Sequence, residues 1–491
     1  MSSLILIVPI LFPIIGGYLL IPLGITNRKI RNGYAMVVVC ITSVLCWIAL
    51  YKVGVVGASL YSFTRGFSID LRADAPAKMF ALMVSLMWPL VMLYAFEYMS
   101  ASKRTNSFFA FYIMTYGVTL GVAFAANMTT LYMFYEMLSL VTIPLVSYYA
   151  NHESMYAGRK YAAYTIGGAS MAFFAVVMTS IYNGAGSFLY GGNLYGPYDP
   201  SLMQIVFLFG FFGFGVKAAV FPLHSWLPTA SVAPTPVTAL LHAVAVVNSG
   251  VFAIVRLAWY TYGPDFLRGT LCLTIAQGFA VFTLIYAAVL AVKERHFKRR
   301  LACSTVSNLS YMLFGILLMT PQGLEAGLLH MIFHGIIKIT LFMCAGAFMH
   351  ETIHSYVYEI NGVGKKMPVT FTMYTISALS LVGIPGLCGF VSKLHLVMSG
   401  LEEGSIPGFI GSAALMVAAF LCAIYTLSVS IRAFFPMAGT DKYAGTDEYV
   451  AKEANALMLI PICTFTLINV LIGIHPGPLT DIIEKIANGL M

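Results

Sequence analysis

Apolar runs of about twenty residues, separated by short polar breaks, recur along the whole chain. A helix needs roughly 20 consecutive apolar residues to cross a bilayer. Marking each run places spans at about 3–24, 33–57, 76–96, 107–127, 128–150, 159–182, 202–223, 236–260, 270–292, 301–319, 324–350, 368–397, 407–435 and 454–475. Backbone groups in hydrocarbon must bond internally, so at this hydropathy the runs read as helices. The predicted class is an all-α integral membrane protein of fourteen transmembrane helices, a single polytopic domain over residues 1–491, with both termini on one side. The first run, Leu4 to Leu23, lacks a basic leader and a small-residue cleavage site. It is therefore expected to remain as a span rather than leave as a signal peptide. The longer loops on the side of the termini, roughly 58–75 and 183–201, are rich in Gly, Tyr and Ser, and the first suits a small hairpin.

Composition agrees: 59% of residues are hydrophobic and only 9% charged, against about 25% charged in soluble chains. The formal charge of +8 then reflects orientation rather than an acidic partner, and no nucleic acid is expected. Of the 27 Lys and Arg, seventeen fall on the loops away from the termini, six on the other side and four within spans. Cytoplasmic loops carry the basic excess, which predicts a multi-pass protein of the cell membrane with both termini outside. Eight scattered cysteines, without a C-x-x-C pair, argue against zinc or iron–sulfur ligation. There is no dinucleotide fingerprint, P-loop or H-E-x-x-H. No cofactor or metal is expected in this chain.

The chemistry lies in charges that hydrocarbon disfavours. Glu136, within LYMFYEML (131–138), is about eight residues from any loop. An ionised group at the bilayer centre costs at least ~2.5–3.5 kcal/mol and commonly marks an ion path; fixing helix packing is the plainer role. Lys217 lies five residues before Pro222, whose ring clashes with the carbonyl of Ala218 and interrupts the seventh helix. A structural pairing of Lys217 with Glu136 is the alternative there. Lys393 repeats the arrangement in the twelfth span, after Gly383, Pro385, Gly386 and Gly389; its alternative is snorkelling to the headgroups. Interrupted helices in matching positions point to an inverted-repeat transporter. Seven and twelve are an odd number of spans apart, so if spans 4–8 (107–260) and 9–13 (270–435) are two copies of one five-helix unit, the second is expected to be inserted upside down.

The eleventh span adds His330, His334 and Lys338 at spacings of four, on one helical stripe over about 12 Å. His242 in the eighth span and His224 beside Pro222 are further candidates, each with a structural alternative. Arg256, near the outer end of its span, is expected to snorkel.

These segments resemble the antiporter-like subunits shared by respiratory complex I, energy-converting membrane-bound hydrogenases and Mrp-type cation/proton antiporters. The resemblance covers about 107–435 and rests on Glu136 in YMFYEML, Lys217 in VKAAVFPLHSWLPTASVAPTPVTALLH, the three residues of HMIFHGIIK, and Lys393 in GFVSK. It implies fourteen helices with two inverted five-helix repeats, discontinuous helices seven and twelve, a glutamate on helix five that modulates the lysine on helix seven, and a His/Lys relay to helix twelve. Many members carry a lysine in helix eight where this chain has Asn248; some use the histidine six residues earlier, and His242 is present.

The leading expectation is a proton- or sodium-translocating subunit of a redox-driven complex. Its partner subunits, further antiporter-like ones included, would hold any iron–sulfur, flavin or nickel–iron centres. The alternatives are a subunit of an Mrp-type antiporter not coupled to redox chemistry, and a non-conducting scaffold. The predicted relay comprises Glu136, Lys217, His242, His330, His334, Lys338 and Lys393, with His224 and Asn248 secondary.

Overall fold

The structure, a computed structural model, describes residues 2–52, 57–64, 67–182, 186–435 and 452–490. Among these, eleven segments are long and apolar enough to cross a membrane: Ile5–Leu23, Arg28–Tyr51, Ala75–Tyr98, Thr105–Phe124, Met128–Val146, His152–Ile181, Thr235–Tyr262, Leu271–Lys293, Pro321–Thr352, Ile406–Phe434 and Ala456–Ile474. Three more complete the fourteen. The seventh span runs as Pro200–Gly215, unwinds, and resumes as Trp226–Ala230. The tenth, Phe297–Leu317, carries a polar face. The twelfth is split into Pro368–Val382 and Cys388–Glu402. The protein is thus an all-α integral membrane protein, and both expected discontinuities are present. Arg65 and Lys442, counted in the charge tally, lie outside the described residues.

The eighth and eleventh spans form the centre of the molecule, every residue of their most apolar windows being buried. Other spans surround them and keep one apolar face outward, as with Leu140, Ile166 and Phe420, which suits lipid as solvent.

The loop at 58–75 does form a hairpin, Ala58–Thr64 pairing antiparallel with Phe67–Leu71. It clamps the start of the fifth span. Asn127 caps that helix by accepting from the Thr130 amide at 2.8 Å, while its own amide donates to Asp70 at 2.8 Å and to the Ser68 carbonyl at 3.1 Å. Glu136, eight residues beyond the helix start at Met128, is thereby held about 12 Å along the helix from that start.

The eighth span departs from expectation. It breaks between Thr235–Ala243 and Val246–Leu257. Neither proline nor glycine marks this site; the Asn248 side chain donates to the Ala243 carbonyl at 2.8 Å, replacing a partner the helix would otherwise provide. Asn248 therefore caps a third break.

Candidate functional site

The broken seventh and twelfth helices each present a lysine. In the seventh span the chain leaves helical form after Gly215, and Trp226 donates its indole N–H to the Val216 carbonyl at 2.7 Å. Lys217 sits in this unwound stretch, fully buried. Its ammonium donates to the Tyr135 carbonyl and lies 3.3 Å from the Tyr135 ring centre. Tyr135 returns a bond from its hydroxyl to the Phe214 carbonyl at 2.8 Å. The neighbouring Glu136 is half-buried, within electrostatic range of Lys217, and one of its oxygens is buried without a protein partner. The two do not close to an ion pair; Lys217 is held by the carbonyl next in sequence to Glu136. Gly250 of the eighth span is pressed against this stretch, for a Cβ there would collide with the Ala218 nitrogen.

In the twelfth span the break supplies the acceptors directly. Lys393 donates to the Leu381 carbonyl at 2.6 Å and the Val382 carbonyl at 3.3 Å, the last turn of the preceding half-helix. Gly383, at φ 102°, makes the turn; a Cβ there would approach the lysine chain to 3.2 Å. The amine points inward, so the snorkelling alternative does not apply.

Between these two lysines the eleventh span carries its stripe. Lys338 donates to the Leu301 carbonyl at 3.0 Å and the Ser304 hydroxyl at 2.7 Å, and Ser304 bonds Tyr425 at 2.9 Å. His334 is one turn away, its ring 6.1 Å from that of His330. His330 bonds Ser392 at 2.9 Å and the Asn308 side-chain carbonyl at 3.2 Å. Ser392 adjoins Lys393, and the Tyr311 ring lies 5.4 Å from His330 and 5.0 Å from the Lys393 ammonium. Lys338, His334, His330 and Lys393 therefore lie along one buried line. His242 approaches it from the eighth span, its ring 5.0 Å from Phe342.

Beside the line lie groups with open bonding capacity. Both ring nitrogens of His242 and of His334, and the Asn248 side-chain oxygen, are buried without a protein partner. Each such group costs about 1–3 kcal/mol if left unpaired, and polar sites of this kind hold internal water. His224 stands apart, stacked on Phe221 and edge-on to Tyr286; it joins no member of the line among the described residues.

Ser304, Asn308, Tyr311, Ser392 and Tyr425 were not singled out from sequence. Ser304, Asn308 and Tyr311 recur at spacings of four and three along the tenth span, the helical period of one face, and that signal was available. Lys298, counted with the loop cations, is buried as well.

Arg256 overturns its expectation. It does not snorkel: its guanidinium is inaccessible, bonds both Asp74 oxygens at 2.8 and 2.5 Å, and faces the rings of Phe188, Phe252 and Tyr260 at 4.7–4.9 Å. Asp74, just ahead of the third span, also bonds Arg72 at 3.1 Å. Burial by itself would raise the Asp74 carboxyl, but the two guanidinium groups outweigh it and hold it below the usual carboxylate range. A bidentate pair recovers the desolvation cost that a mobile cation at this depth would not.

Fourteen spans, helices opened beside buried lysines and a central His/Lys line define an antiporter-like membrane subunit. Comparison makes this specific: residues 125–421 match the family described as NADH:quinone oxidoreductase/Mrp antiporter, TM, and the chain belongs to that family. It is 28% identical to one subunit of the Na(+)/H(+) antiporter of Alkalihalophilus pseudofirmus over 92% of its own length, while spanning 58% of that relative's. In fold it resembles a chain of the Mrp complex from Dietzia sp. DQ12-45-1b, with TM-score 0.86 at 20% identity over 100% of this chain and 97% of the other. It likewise resembles a chain of the membrane-bound sulfane sulfur reductase, an archaeal respiratory membrane complex, with TM-score 0.85 at 20% identity, over 99% of this chain and 97% of that one.

Proposed function

We propose that this chain is the ion-translocating subunit of a multisubunit cation/proton antiporter of the cell membrane, driven by ion gradients without redox chemistry. The comparisons favour this over the redox-driven complex first expected. The curated relative is named for sodium/proton antiport, whereas the likeness to the sulfane sulfur reductase concerns fold alone. The observation that carries the translocation reading is the buried line from Lys338 through His334 and His330 to Lys393, with Lys217 at the other helix break. Residues 107–260 and 270–435 act as inverted repeats around it, and the basic loops face the cytoplasm.

In this mechanism Lys217 receives a proton or gives it up according to how near the Glu136 carboxylate stands. Burial favours the neutral amine and a carboxylate favours the ammonium. A tenfold change in occupancy corresponds to about 1.4 kcal/mol, and moving one charge against 100 mV takes about 2.3 kcal/mol. A hundredfold swing therefore matches the load. His242, His334, His330 and Lys338 relay the proton, and Lys393 is the far terminus.

The test is reconstitution of the intact complex into liposomes. An imposed sodium gradient, with no electron donor present, is expected to drive proton movement in the opposite direction, read with an internal pH dye. Proton movement that requires a reductant would instead favour the redox-driven host, with iron–sulfur, flavin or nickel–iron centres in partner subunits.

A further inference from the structure

Lys298 is the second residue of the helix Phe297–Leu317, at the basic end of the molecule, where a lysine ordinarily extends into water. Instead it is 3% exposed. Its ammonium donates to the Ala233 carbonyl at 2.8 Å, and no carboxylate pairs with it among the described residues. The surface is one residue away on both strands of chain that enclose it, since Arg299, Arg300 and Val232 are partly exposed. On its inner side the helix Thr235–Ala243, which begins two residues after Ala233, leads to His242, a rise of about 10 Å from Thr235. His242 lies in the electrostatic field of both Lys338 and Lys298, and both its ring nitrogens are without a protein partner.

The charged groups around Lys298 are His242 and Lys338 on the inner side and Glu294, His296, Arg299 and Arg300 on its own segment. The one carboxylate, Glu294, accepts from the Arg295 and His296 amides rather than from Lys298. A buried ammonium with one neutral acceptor and no paired carboxylate is an expensive tether, and any fixed donor would serve the Ala233 carbonyl as well. A group that gains and loses a proton gives this placement a use.

We propose that Lys298 is a proton intake residue at the basic end, linking the surface to His242 and through it to Lys338. The Lys298 ammonium releases its proton into water bridging towards an imidazole nitrogen of His242, becomes a neutral amine, and is recharged from the surface; the His242 imidazolium releases a proton through water in turn to a neutral Lys338. The central line then has its own access to the basic side, separate from Lys217. This rests on the translocation reading above.

The test uses the reconstituted complex and sodium-driven proton flux with Lys298→Arg, Lys298→Gln and Lys298→His. Arg and Gln both supply a donor to Ala233, but neither exchanges a proton near neutral pH. They are expected to assemble normally and lose at least tenfold in rate. His is expected to retain flux with its pH profile moved towards acid. Wild-type rates in the Arg or Gln variant would overturn the proposal, and so would failure of all three to assemble, which would assign Lys298 a purely structural role. Lys217→Ala in the same assay separates the two levels. If it is inactive while Lys298→Gln is active, only the intake proposal fails; if it is active, the translocation reading itself fails.

Discussion

Replacing Lys217 by alanine is expected to reduce sodium-driven proton exchange at least tenfold while the complex still assembles. The seventh-span break does not depend on the amine. It is held by the Trp226 bond to the Val216 carbonyl, by the Val220 amide on the Gly215 carbonyl at 3.0 Å, and by the close fit of Gly250. Removing the ammonium leaves that frame intact but takes away the group whose occupancy Glu136 sets. Copurification and melting temperature check assembly, and dye-detected flux checks transport. Undiminished flux would remove Lys217 from the mechanism.

Arg256→Leu is expected to act on stability instead. Removing one partner of a buried ion pair strands the other charge and costs about 3–5 kcal/mol. Asp74 would keep Arg72 and the Ala77 amide, and the third and eighth spans lose this ion pair between them. The expected result is loss of folded complex in detergent, with the melting temperature lowered by several degrees or more. Pairing it with Asp74→Asn should recover part of the loss, because the buried carboxylate is then gone and the partly exposed Arg72 keeps its bond to the Phe188 carbonyl. Because the Asp74 carboxyl is held below its usual range, the pair's contribution is present at neutral pH and fades as pH falls through that lowered value. A single Arg256→Leu variant as stable as wild type would mean the pair adds little.

The spans, their number and the two expected breaks were legible because lipid imposes a long apolar run on every helix, and proline and glycine mark interruptions. Lys217, Lys338, Lys393, His330 and His334 stood out for the same reason, as polar side chains within apolar runs. Three features were not legible. The eighth-span break is made by a side-chain cap from Asn248, which leaves no compositional mark. Arg256 and Asp74 are 182 positions apart, and only the packing of two spans brings them together. Lys298 is flanked by Arg299 and Arg300, so it reads as one more loop cation, although the fold turns it inward. The Ser304, Asn308 and Tyr311 stripe was visible but overshadowed by the charged residues it supports.

If translocation runs as proposed, one hydrated polar thread joins Lys217 to Lys393 through the middle of the protein. A high-resolution cryo-EM map of the assembled complex in lipid is then expected to show ordered water density against the ring nitrogens of His242 and His334 and the Asn248 oxygen, bridging Lys217 to Lys338 and onward to Lys393. Tight apolar packing around those atoms, with Lys217 and Lys393 opening onto separate aqueous surfaces, would rule such a thread out.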